Sequence, residues 1–335
     1  MKACLLEEQA EAESRPLKYT EVPVPDPATG ELLVRVICCG VCRTDLHVVE
    51  GDLEPRKMPV IPGHQIVGEV VSAGEGAEGH SAGSIVGGAW LNRTCGTCRF
   101  CVSGRENLCD SSDFTGWTRD GGFAEYAVIP DSFAYSIPEG IGPVNAAPLM
   151  CAGIIGYRAM KLTGLDDWSG ARLGIYGFGA AGHVAIQLAR HRGADVYVAT
   201  RDRERHQALA EELGAVWVGD TYEVPPEKLD ASIIFAPAGE IVPAALEALE
   251  KGGSLVLGGI HMSPIPELEY SLIYGERIVR SVANNTREDG DEFLKEAVEA
   301  GVETSVEKFG LDEANDALIA LKTDAVRGAA VLAVS

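Results

Sequence analysis

Hydrophobic and polar residues follow one pattern over the first 142 residues and a different pattern after them. The first part has apolar runs rich in β-branched residues, such as ELLVRVICCGV, and alternating runs such as FAEYAVIP, both typical of strands. Prolines at positions 23, 25, 27, 55, 59 and 62 argue against long helices there. We therefore predict that this part is rich in strands and turns.

From about residue 143, strand-like and helix-like runs alternate. PVNAAPLMCAGIIGYRAMKL predicts a helix, ARLGIYGF a strand, and GAAGHVAIQLARHRG a helix with apolar Val184, Ile186, Leu188 and Ala189. DVYVAT and RDRERHQALAEELG continue the alternation. Strands separated by helices of this length predict an α/β fold with a doubly wound parallel sheet. After about residue 282 the pattern weakens, and VRGAAVLAV predicts a last strand.

Length and charge restrict the class of protein. The chain has 335 residues, of which 46% are hydrophobic, enough for one large domain or two medium ones. It has no apolar run of membrane-spanning length and no signal peptide in MKACLLEEQAEAES, so we expect a cytoplasmic protein without a membrane partner. The formal net charge of −22 disfavours nucleic acid as a partner.

Four cysteines within fifteen residues form a specific metal-binding pattern. Cys95, Cys98, Cys101 and Cys109 have the spacing C-x2-C-x2-C-x7-C. In a cytosolic protein such spacings favour metal over disulfides, and four thiolates suit a closed, structural zinc site. An iron–sulfur cluster is the alternative, but ferredoxin-type patterns have a shorter last spacing followed by proline, and here Asp110 follows.

A glycine-rich turn, GIYGFGAAG, follows a predicted strand and opens a predicted helix. Gly177, Gly179 and Gly182 have the spacing of a dinucleotide-binding turn. The first glycine permits the tight turn, the second lets the backbone approach a pyrophosphate, and the third packs the helix on the strand. Amides at the helix N-terminus would then bind the phosphates.

Three further segments resemble the zinc-containing medium-chain dehydrogenase/reductase family, in particular alcohol dehydrogenases of yeast and bacterial type. They are GVCRTDLH, PGHQIVG and PLMCAG, and their order and separation also match the family. The resemblance covers essentially the whole chain. It implies a β-rich, GroES-like catalytic domain over residues 1–151, a Rossmann cofactor-binding domain over residues 152–282, and a return to the catalytic domain over residues 283–335.

The same resemblance implies a second, catalytic zinc site, and therefore two zinc ions per chain. Its ligands would be Cys42, His64 and Cys151. Three protein ligands leave one position for an alcohol or carbonyl oxygen, which the metal polarises as a Lewis acid. Thr44 would hydrogen-bond the substrate oxygen, and His47 would end a proton relay near solvent. Taken alone, these two residues could also be a turn hydroxyl and a surface histidine.

Two neighbours of the ligands complete this expectation. Asp45 would accept a hydrogen bond from the second ring nitrogen of His64 and so fix its tautomer, although it could also be a helix cap. Gln65 stands where the family usually has glutamate. The amide keeps the shape and removes a negative charge. We therefore expect the zinc site to be less negative than in glutamate-containing relatives. The substrate alcohol should then lose its proton at a lower pH in this protein than in those relatives.

The cofactor residues implied by the resemblance favour NADP(H). Arg43 and Arg327 match positions that contact the pyrophosphate, although Arg327 could be an ordinary surface residue. At the end of DVYVAT, Thr200 occupies the position where NAD enzymes have an acid, and Arg201 follows. A small hydroxyl beside an arginine accommodates a 2′-phosphate. Asp202 leaves NAD(H) open, because a shifted turn would let it bind the ribose.

The substrate pocket is expected beside the zinc. Trp90 matches an aromatic wall of the yeast-type pocket, and Leu53 stands where ethanol-specific relatives often have tryptophan. The smaller side chain leaves space for alcohols or aldehydes larger than ethanol. Trp117 is a weaker candidate, with packing under the cysteines as an equal alternative.

The sequence therefore predicts a zinc-dependent alcohol dehydrogenase, or an aldehyde reductase that runs the same reaction backwards. A polyol or cinnamyl-type alcohol dehydrogenase of the same fold is the first alternative. A non-enzymatic zinc-binding module is a distant one, because the dinucleotide turn argues against it. A chain of this length in the family is expected to form a homotetramer, with a homodimer as the alternative.

Overall fold

The computed structural model describes residues 1–334, which divide into two compact units. Unit 1 contains Met1–Cys151, Asn284–Val298 and the chain from Thr304 onward. Unit 2 contains Ala152–Ala283 and Glu299–Glu303. Within the described residues, no helix combines the length and the apolar character that crossing a membrane requires.

Strands predominate in unit 1 and alternate with helices in unit 2. In chain order the strands are β1 (Lys2–Leu6), β2 (Leu17–Glu21), β3 (Glu31–Val41), β4 (Gln65–Ala73), β5 (Ile85–Gly88), β6 (Leu91–Arg93), β7 (Asp113–Phe114), β8 (Tyr126–Pro130), β9 (Ala134–Ser136), β10 (Arg172–Tyr176), β11 (Asp195–Ala199), β12 (Trp217–Gly219), β13 (Leu229–Ile234), β14 (Leu249–Leu257), β15 (Ile278–Ser281), β16 (Val306–Gly310) and β17 (Ala329–Ala333). The α-helices are α1 (Arg43–Glu50), α2 (Pro143–Pro148), α3 (Ile154–Leu162), α4 (Ala180–His191), α5 (Ala208–Glu212), α6 (Val242–Ala248), α7 (Tyr270–Ile273), α8 (Arg287–Glu299) and α9 (Ala314–Lys322).

Unit 2 is built on a parallel sheet, which over the described residues has six strands in the order β12-β11-β10-β13-β14-β15. The chain starts in the middle of the sheet and builds outward in both directions, which is the doubly wound arrangement. Central strands of such a sheet are covered on both faces, so they are mostly apolar, as the buried Ile175 and Ile233 illustrate. The predicted α/β class with a parallel sheet is confirmed.

Helix α4 packs with the residues that the sequence pattern singled out. Val184, Ile186, Leu188 and Ala189 are all fully buried. The helix begins directly after the glycine-rich turn, with Gly179 at its N-cap. The parallel sheet and this helix together fix the position of the turn at the carboxyl end of β10.

Unit 1 is organised around the long strand β3. In its sheet, over residues 1–334, the strands run in the order β16-β17-β3-β4-β5-β9, and β8 also pairs with β3. β16 and β17 are parallel, and the other pairs are antiparallel. Burial alternates along the first part of β3 and becomes continuous from Cys38 to Val41. The strand therefore delivers the next residue, Cys42, to a place shielded from water.

The segment from Cys95 to Cys109, hereafter the cysteine loop, lies between β6 and β7 and contains only short 3-10 turns. It is attached to α8 by Glu106, a residue that is buried in spite of its charge. The Glu106 carboxylate accepts hydrogen bonds from the backbone N–H, Nε and Nη2 of Arg287, at 2.9, 2.9 and 2.6 Å. Such bidentate, charge-assisted contacts are among the stronger hydrogen bonds in proteins.

This attachment predicts that Arg287→Met destabilises the protein by about 1.5–3 kcal/mol, because the substitution leaves a buried carboxylate without its charged partner. Urea unfolding followed by tryptophan fluorescence measures the effect as a lower midpoint. Arg105→Gln is the matched control, since Arg105 is an exposed arginine of the cysteine loop whose guanidinium contacts the Ser103 hydroxyl and the Phe100 ring but pairs with no buried carboxylate among residues 1–334. Equal midpoints for the two variants would contradict the assigned role of Arg287.

Candidate active site

Three residues from separate parts of unit 1 bring two sulfur atoms and one ring nitrogen together. Cys42 caps α1, His64 directly precedes β4, and Cys151 lies in a π-helical turn over Leu149–Gly153. Their ligand atoms all lie within 4.8 Å of one another. Cys42 Sγ is 3.4 Å from His64 Nε2. The structure thus places the three predicted ligands in one cluster.

The N-terminus of α1 positions Cys42. Its Sγ accepts a hydrogen bond from the backbone N–H of Thr44 at 3.3 Å, and its own N–H donates to Asp45 Oδ2 at 2.9 Å. This is a reciprocal capping arrangement in which a cysteine takes the place of serine or threonine. The positive end of a helix favours a thiolate over a thiol. The local fold therefore prepares Cys42 to bind a cation.

The peptide before β4 positions His64. Gly63 has a φ of 96°, and a Cβ at this position would lie 2.3 Å from the ring of Phe123. Only glycine satisfies both the conformation and the space. Its N–H donates to Asp45 Oδ1 at 3.2 Å. The turn therefore holds His64 against the buried carboxylate of Asp45.

Asp45 sets the orientation of the imidazole. Its Oδ1 lies 2.8 Å from His64 Nδ1, and both residues are almost fully buried. Because a carboxylate only accepts, this contact places a proton on Nδ1 and directs Nε2 toward Cys42, so that Nε2 is the nitrogen that a metal ion would bind. That tautomer is the one a metal ligand needs. Asp45 thus makes the contact with His64 that the family resemblance implied, and it also forms the helix cap that was the alternative.

The electrostatics of the cluster favour a cation. Burial alone would lower the pKa of His64, but the charges of Asp45 and Cys42 raise it to about 10. A hydrogen bond from Cys151 lowers the pKa of Cys42 well below its usual range against the effect of burial, and raises that of Cys151. The cluster thus holds shared protons that a metal ion would replace. Two thiolates and an imidazole fit zinc with one coordination position open.

Gln65 is buried directly beside this cluster. It is the first residue of β4 and pairs with Gly40 of β3. A Cβ at Gly40 would lie 2.9 Å from Gln65 Oε1, so the glycine provides the space that the amide occupies. The side chain adds no charge, and Asp45 contributes the buried carboxylate that His64 contacts.

His47 has a partner that the sequence did not suggest. Its Nδ1 lies 2.7 Å from Oδ2 of Asp52, whose side chain is 43% exposed. Gly51, with a φ of 90°, ends α1 and turns the chain so that the two residues meet. Thr44, the other residue of the predicted relay, is buried one turn earlier on α1. The contact therefore joins a half-buried histidine to a carboxylate that reaches solvent.

Aromatic rings line one side of His64. The Trp90 ring meets the His64 ring edge-on, with centroids 5.2 Å apart. Trp90 also stacks on Phe114 and on Trp117, at 5.2 and 5.8 Å. Trp117 therefore lies beside Trp90, and Phe114 is a member of the wall that sequence reasoning missed. Leu53 is half-buried, and its carbonyl oxygen accepts from Gln9 at 2.9 Å.

The four cysteines of the cysteine loop form the other candidate metal centre. The sulfur atoms of Cys95, Cys98, Cys101 and Cys109 all lie within 4.8 Å of one another. Backbone N–H donors of Thr97 and Cys98 lower the pKa of Cys95 to about 6. Burial raises that of Cys101 to about 11. Four converging thiols with N–H donors around them fit a closed tetrahedral zinc site.

In unit 2 the glycine-rich turn has the shape of an anion cradle. Gly177 has a φ of 85°, and Cβ atoms at Gly177 and Gly182 would lie 2.8 Å from Ala236 N and 2.9 Å from Gly177 O. At Gly179 the corresponding space is open, and within the described chain no side chain caps α4. The first N–H groups of α4 are thus available to phosphate oxygens. Buried His183, which the sequence did not single out, has its Nδ1 3.3 Å from Gly179 O.

The residues predicted to select the cofactor follow β11. Thr200 is buried and Arg201 is exposed. Asp202, at a φ of 60°, caps the π-helical turn over Arg203–Gln207 and accepts a hydrogen bond from the Arg205 N–H at 3.0 Å. Its carboxylate is therefore already engaged by the backbone. The pKa of the nearby Glu240 carboxyl is lowered by its own backbone N–H, by the Ser263 hydroxyl and, to a smaller extent, by the charge of Arg201.

Arg43 and Arg327 both belong to unit 1. Arg43 is the first residue of α1, and its Nη2 lies 3.4 Å from Oδ1 of Asp324. Arg327 is exposed between α9 and β17, and its carbonyl oxygen accepts from the Ser305 hydroxyl at 3.5 Å. Their contact with a pyrophosphate stays a prediction.

Comparison with known proteins agrees with the fold and the candidate centres. A family model described as an alcohol dehydrogenase GroES-like domain matches residues 28–139. A second, described as a zinc-binding dehydrogenase, matches residues 180–299. Together with the two sheets, these matches confirm the predicted combination of a GroES-like and a Rossmann-type fold.

Individual relatives extend over nearly the whole chain. A probable alcohol dehydrogenase, AdhA, of Mycobacterium tuberculosis (strain CDC 1551 / Oshkosh) is 46% identical over 323 residues, which cover 95% of this chain and 92% of the relative. An alcohol dehydrogenase of Geobacillus stearothermophilus is 36% identical over 344 residues, and the match covers 100% of both chains. Among solved structures, a cinnamyl alcohol dehydrogenase from Sorghum bicolor has a TM-score of 0.87 at 29% identity and covers 99% of this chain and 97% of its own.

The contacts of Asp45 predict that Asp45→Asn weakens zinc binding at the Cys42–His64–Cys151 cluster by about 10–100-fold. The amide group would face the N–H groups of Cys42 and Gly63, which are themselves donors, and would no longer hold the Nδ1 tautomer of His64. Competition with a chromophoric chelator at fixed pH measures the affinity.

Asp52→Asn is the matched control for this experiment. It removes the same charge from a residue that contacts His47 and none of the three ligands. Unchanged zinc affinity in Asp45→Asn, or an equal loss in both variants, would contradict the positioning role of Asp45.

Proposed function

The chain belongs to the zinc-containing medium-chain dehydrogenase/reductase family, and we propose that it acts as a zinc-dependent alcohol dehydrogenase or aldehyde reductase on substrates larger than ethanol. Its relatives identify it as an NAD(P)-dependent alcohol oxidoreductase. The observation that carries the finer proposal is the cluster of Cys42, His64 and Cys151, whose ligand atoms lie within 4.8 Å of one another beside an aromatic wall.

In this proposal Cys42, His64 and Cys151 hold the catalytic zinc ion. When bound, zinc supplies a Lewis acid and the nicotinamide cofactor supplies or accepts hydride. Asp45 keeps the proton of His64 on Nδ1 and so leaves Nε2 for the metal. Thr44 offers its hydroxyl to the substrate oxygen, and His47 releases the proton to solvent with the help of Asp52.

The substrate class follows from the size and the chemistry of the wall. Leu53 leaves more room than a tryptophan would, and Trp90, Trp117 and Phe114 offer extended aromatic faces. Aromatic faces bind apolar and aromatic groups through buried area and ring stacking. We therefore favour bulky aliphatic or aromatic alcohols and aldehydes, with cinnamyl-type substrates as the second candidate. A polyol would leave its hydroxyl groups without partners along this wall.

NADP(H) is the cofactor that we favour. Arg201 is exposed, and within residues 1–334 no carboxylate lies within ion-pair distance of it, Glu240 being its more distant acidic neighbour, so its guanidinium is accessible to a 2′-phosphate. Thr200 leaves the space that an acid would fill. Asp202, the residue that would favour NAD(H), is engaged in capping the turn that follows it.

We further propose that the cysteine loop binds a second, structural zinc ion through its four cysteines, which gives two zinc ions per chain. Closed four-cysteine sites stabilise loops, and this loop has few backbone hydrogen bonds of its own beyond short turns. The enzyme is proposed to be cytoplasmic, where thiols remain reduced.

Self-association through the edge of the unit 2 sheet is also proposed. β15 is an edge strand, and Ile278 on it is 50% exposed. Tyr270 and Tyr274, just before this strand, are about 70% exposed. An edge strand that carries an exposed isoleucine pairs readily with a second copy, which supports the homotetramer that the family resemblance implies, or a homodimer.

Ile278→Lys is expected to shift the protein to smaller assemblies, because a charge on β15 disfavours edge-to-edge pairing. Size-exclusion chromatography with light scattering gives the mass directly. Val216→Lys is the control, since Val216 is 55% exposed beside β12 at the opposite edge of the same sheet. A monomeric wild-type protein, or the same shift in both variants, would contradict the role of β15.

The function itself is tested by following the absorbance of reduced nicotinamide with a panel of primary and secondary alcohols and aldehydes. NAD(H) and NADP(H) are compared in parallel, and zinc is determined in the same sample. We expect two zinc ions per chain and a higher kcat/KM with NADP(H). Arg201→Gln should lower kcat/KM for NADP(H) by about tenfold or more and leave that for NAD(H) nearly unchanged, because the lost contact is to a charged group.

Turnover with NAD(H) alone would overturn the cofactor assignment and leave the reaction class intact. Absence of turnover on every alcohol and aldehyde, in protein that holds two zinc ions per chain, would overturn the proposed substrate class.

A further inference from the structure

The segment after α1 is fixed across the aromatic wall. The indole N–H of Trp117 donates to the Glu54 carbonyl oxygen at 3.0 Å, and the Arg56 guanidinium lies 4.7 Å from the centroid of a Trp117 ring. Gln9 holds the Leu53 carbonyl oxygen from the other side at 2.9 Å. Arg56, although exposed, is therefore carried on an anchored segment rather than on a free loop.

Arg56 differs from the other cations around the wall. Lys57, the next residue, is paired with Asp120, and Arg119 is paired with Asp113 at 3.0 Å. Within residues 1–334, the ring of Trp117 is the one partner that Arg56 has, and no carboxylate lies within ion-pair distance of it. In a chain with a net charge of −22, an arginine without an acidic partner is available to an external anion.

A series of ring contacts along the aromatic wall leads from the catalytic cluster to Arg56. The Trp90 ring lies 5.2 Å from the ring of His64, the Trp117 ring lies 5.8 Å from that of Trp90, and Arg56 follows at 4.7 Å. A molecule that reacts beside His64 and extends along the two indoles would therefore bring its far end toward Arg56.

We propose that Arg56 is a specificity-determining residue that favours aromatic alcohols and aldehydes with an anionic group, such as a carboxylate, at the end remote from the reacting carbon. This inference rests on the proposed function and names the substrate class of the same site. The aromatic ring would pack along Trp90 and Trp117, and the carboxylate would pair with the Arg56 guanidinium.

The size of the effect is limited by the exposure of Arg56. Ion pairs at exposed positions are weak and are screened by salt, so a preference of about threefold to fivefold over a neutral analogue is expected. Stacking on Trp117 holds the guanidinium in place and reduces the cost of ordering it. The preference should therefore be measurable as a ratio, and it should fall as sodium chloride is added.

The experiment compares 4-carboxybenzaldehyde and 4-carboxycinnamaldehyde with their neutral primary amides, which have nearly the same shape. The readout is the ratio of kcat/KM for the acid to that for the amide, measured with saturating cofactor in the zinc-loaded enzyme. For wild type, we expect a ratio above one for at least one of the two lengths. Arg56→Gln should reduce that ratio by about threefold to fivefold, and Arg56→Glu should bring it below one.

Arg99→Gln is the matched control. Arg99 is also exposed and also lies over an aromatic ring, that of Phe100, at 4.5 Å, but it belongs to the cysteine loop. Its substitution removes the same charge and should leave the ratio at the wild-type value. Thermal midpoints of all variants verify that they are folded.

An unchanged ratio in Arg56→Gln and Arg56→Glu, or an equal reduction in Arg99→Gln, would overturn the inference. The neutral amides separate this failure from failure of the proposed function. If wild type reduces the amides but shows no preference for the acids, the function stands and the role of Arg56 does not. If it reduces none of the four aldehydes, the proposed function and this inference both fail.

Discussion

The buried carboxylate of Asp45 is the interaction on which the candidate active site depends. A charge that is 1% exposed is costly unless every oxygen has a partner. Here the partners are the N–H groups of Cys42 and Gly63 and the ring of His64. One carboxylate therefore connects the start of α1 to the turn before β4. The same hydrogen bonds that offset the cost of burying the carboxylate also fix the Cys42 thiol and the His64 imidazole relative to each other.

Each backbone segment that contributes a ligand near this carboxylate is constrained by its own local structure. β3 ends in a continuously buried run that leads directly into Cys42. Gly63 adopts a backbone conformation and a closeness to Phe123 that other residues do not permit. Cys151 lies in a π-helical turn, where one extra residue per turn changes the direction of a side chain, and such turns often occur at functional sites. The cluster is thus built from three separately constrained backbone segments.

Local patterns in the sequence predicted the parts of the protein that are local in space. The individual strands and helices of unit 2, the glycine-rich turn and the four-cysteine cluster each follow from residues that are close along the chain. Cys42, His64 and Cys151 are spread over more than a hundred residues, and only the resemblance to a family placed them together. The pairing of His47 with Asp52 was missed because it requires the turn at Gly51. Phe114, likewise, joins the wall only through tertiary packing.

Because the protein carries excess negative charge, its binding of anions depends on individual accessible cations. With a net charge of −22, the general field of the protein repels anions, so an anionic cofactor or substrate must be bound by specific groups. In unit 2 the groups that we propose for this role are the N–H groups at the start of α4 and the Arg201 guanidinium. In unit 1, Arg56 has the same character, since Trp117 holds it without neutralising its charge. An aromatic partner leaves an arginine charged toward solvent, whereas a carboxylate would cancel it. The difference between Arg56 and its paired neighbour Lys57 is therefore a difference in what each can bind.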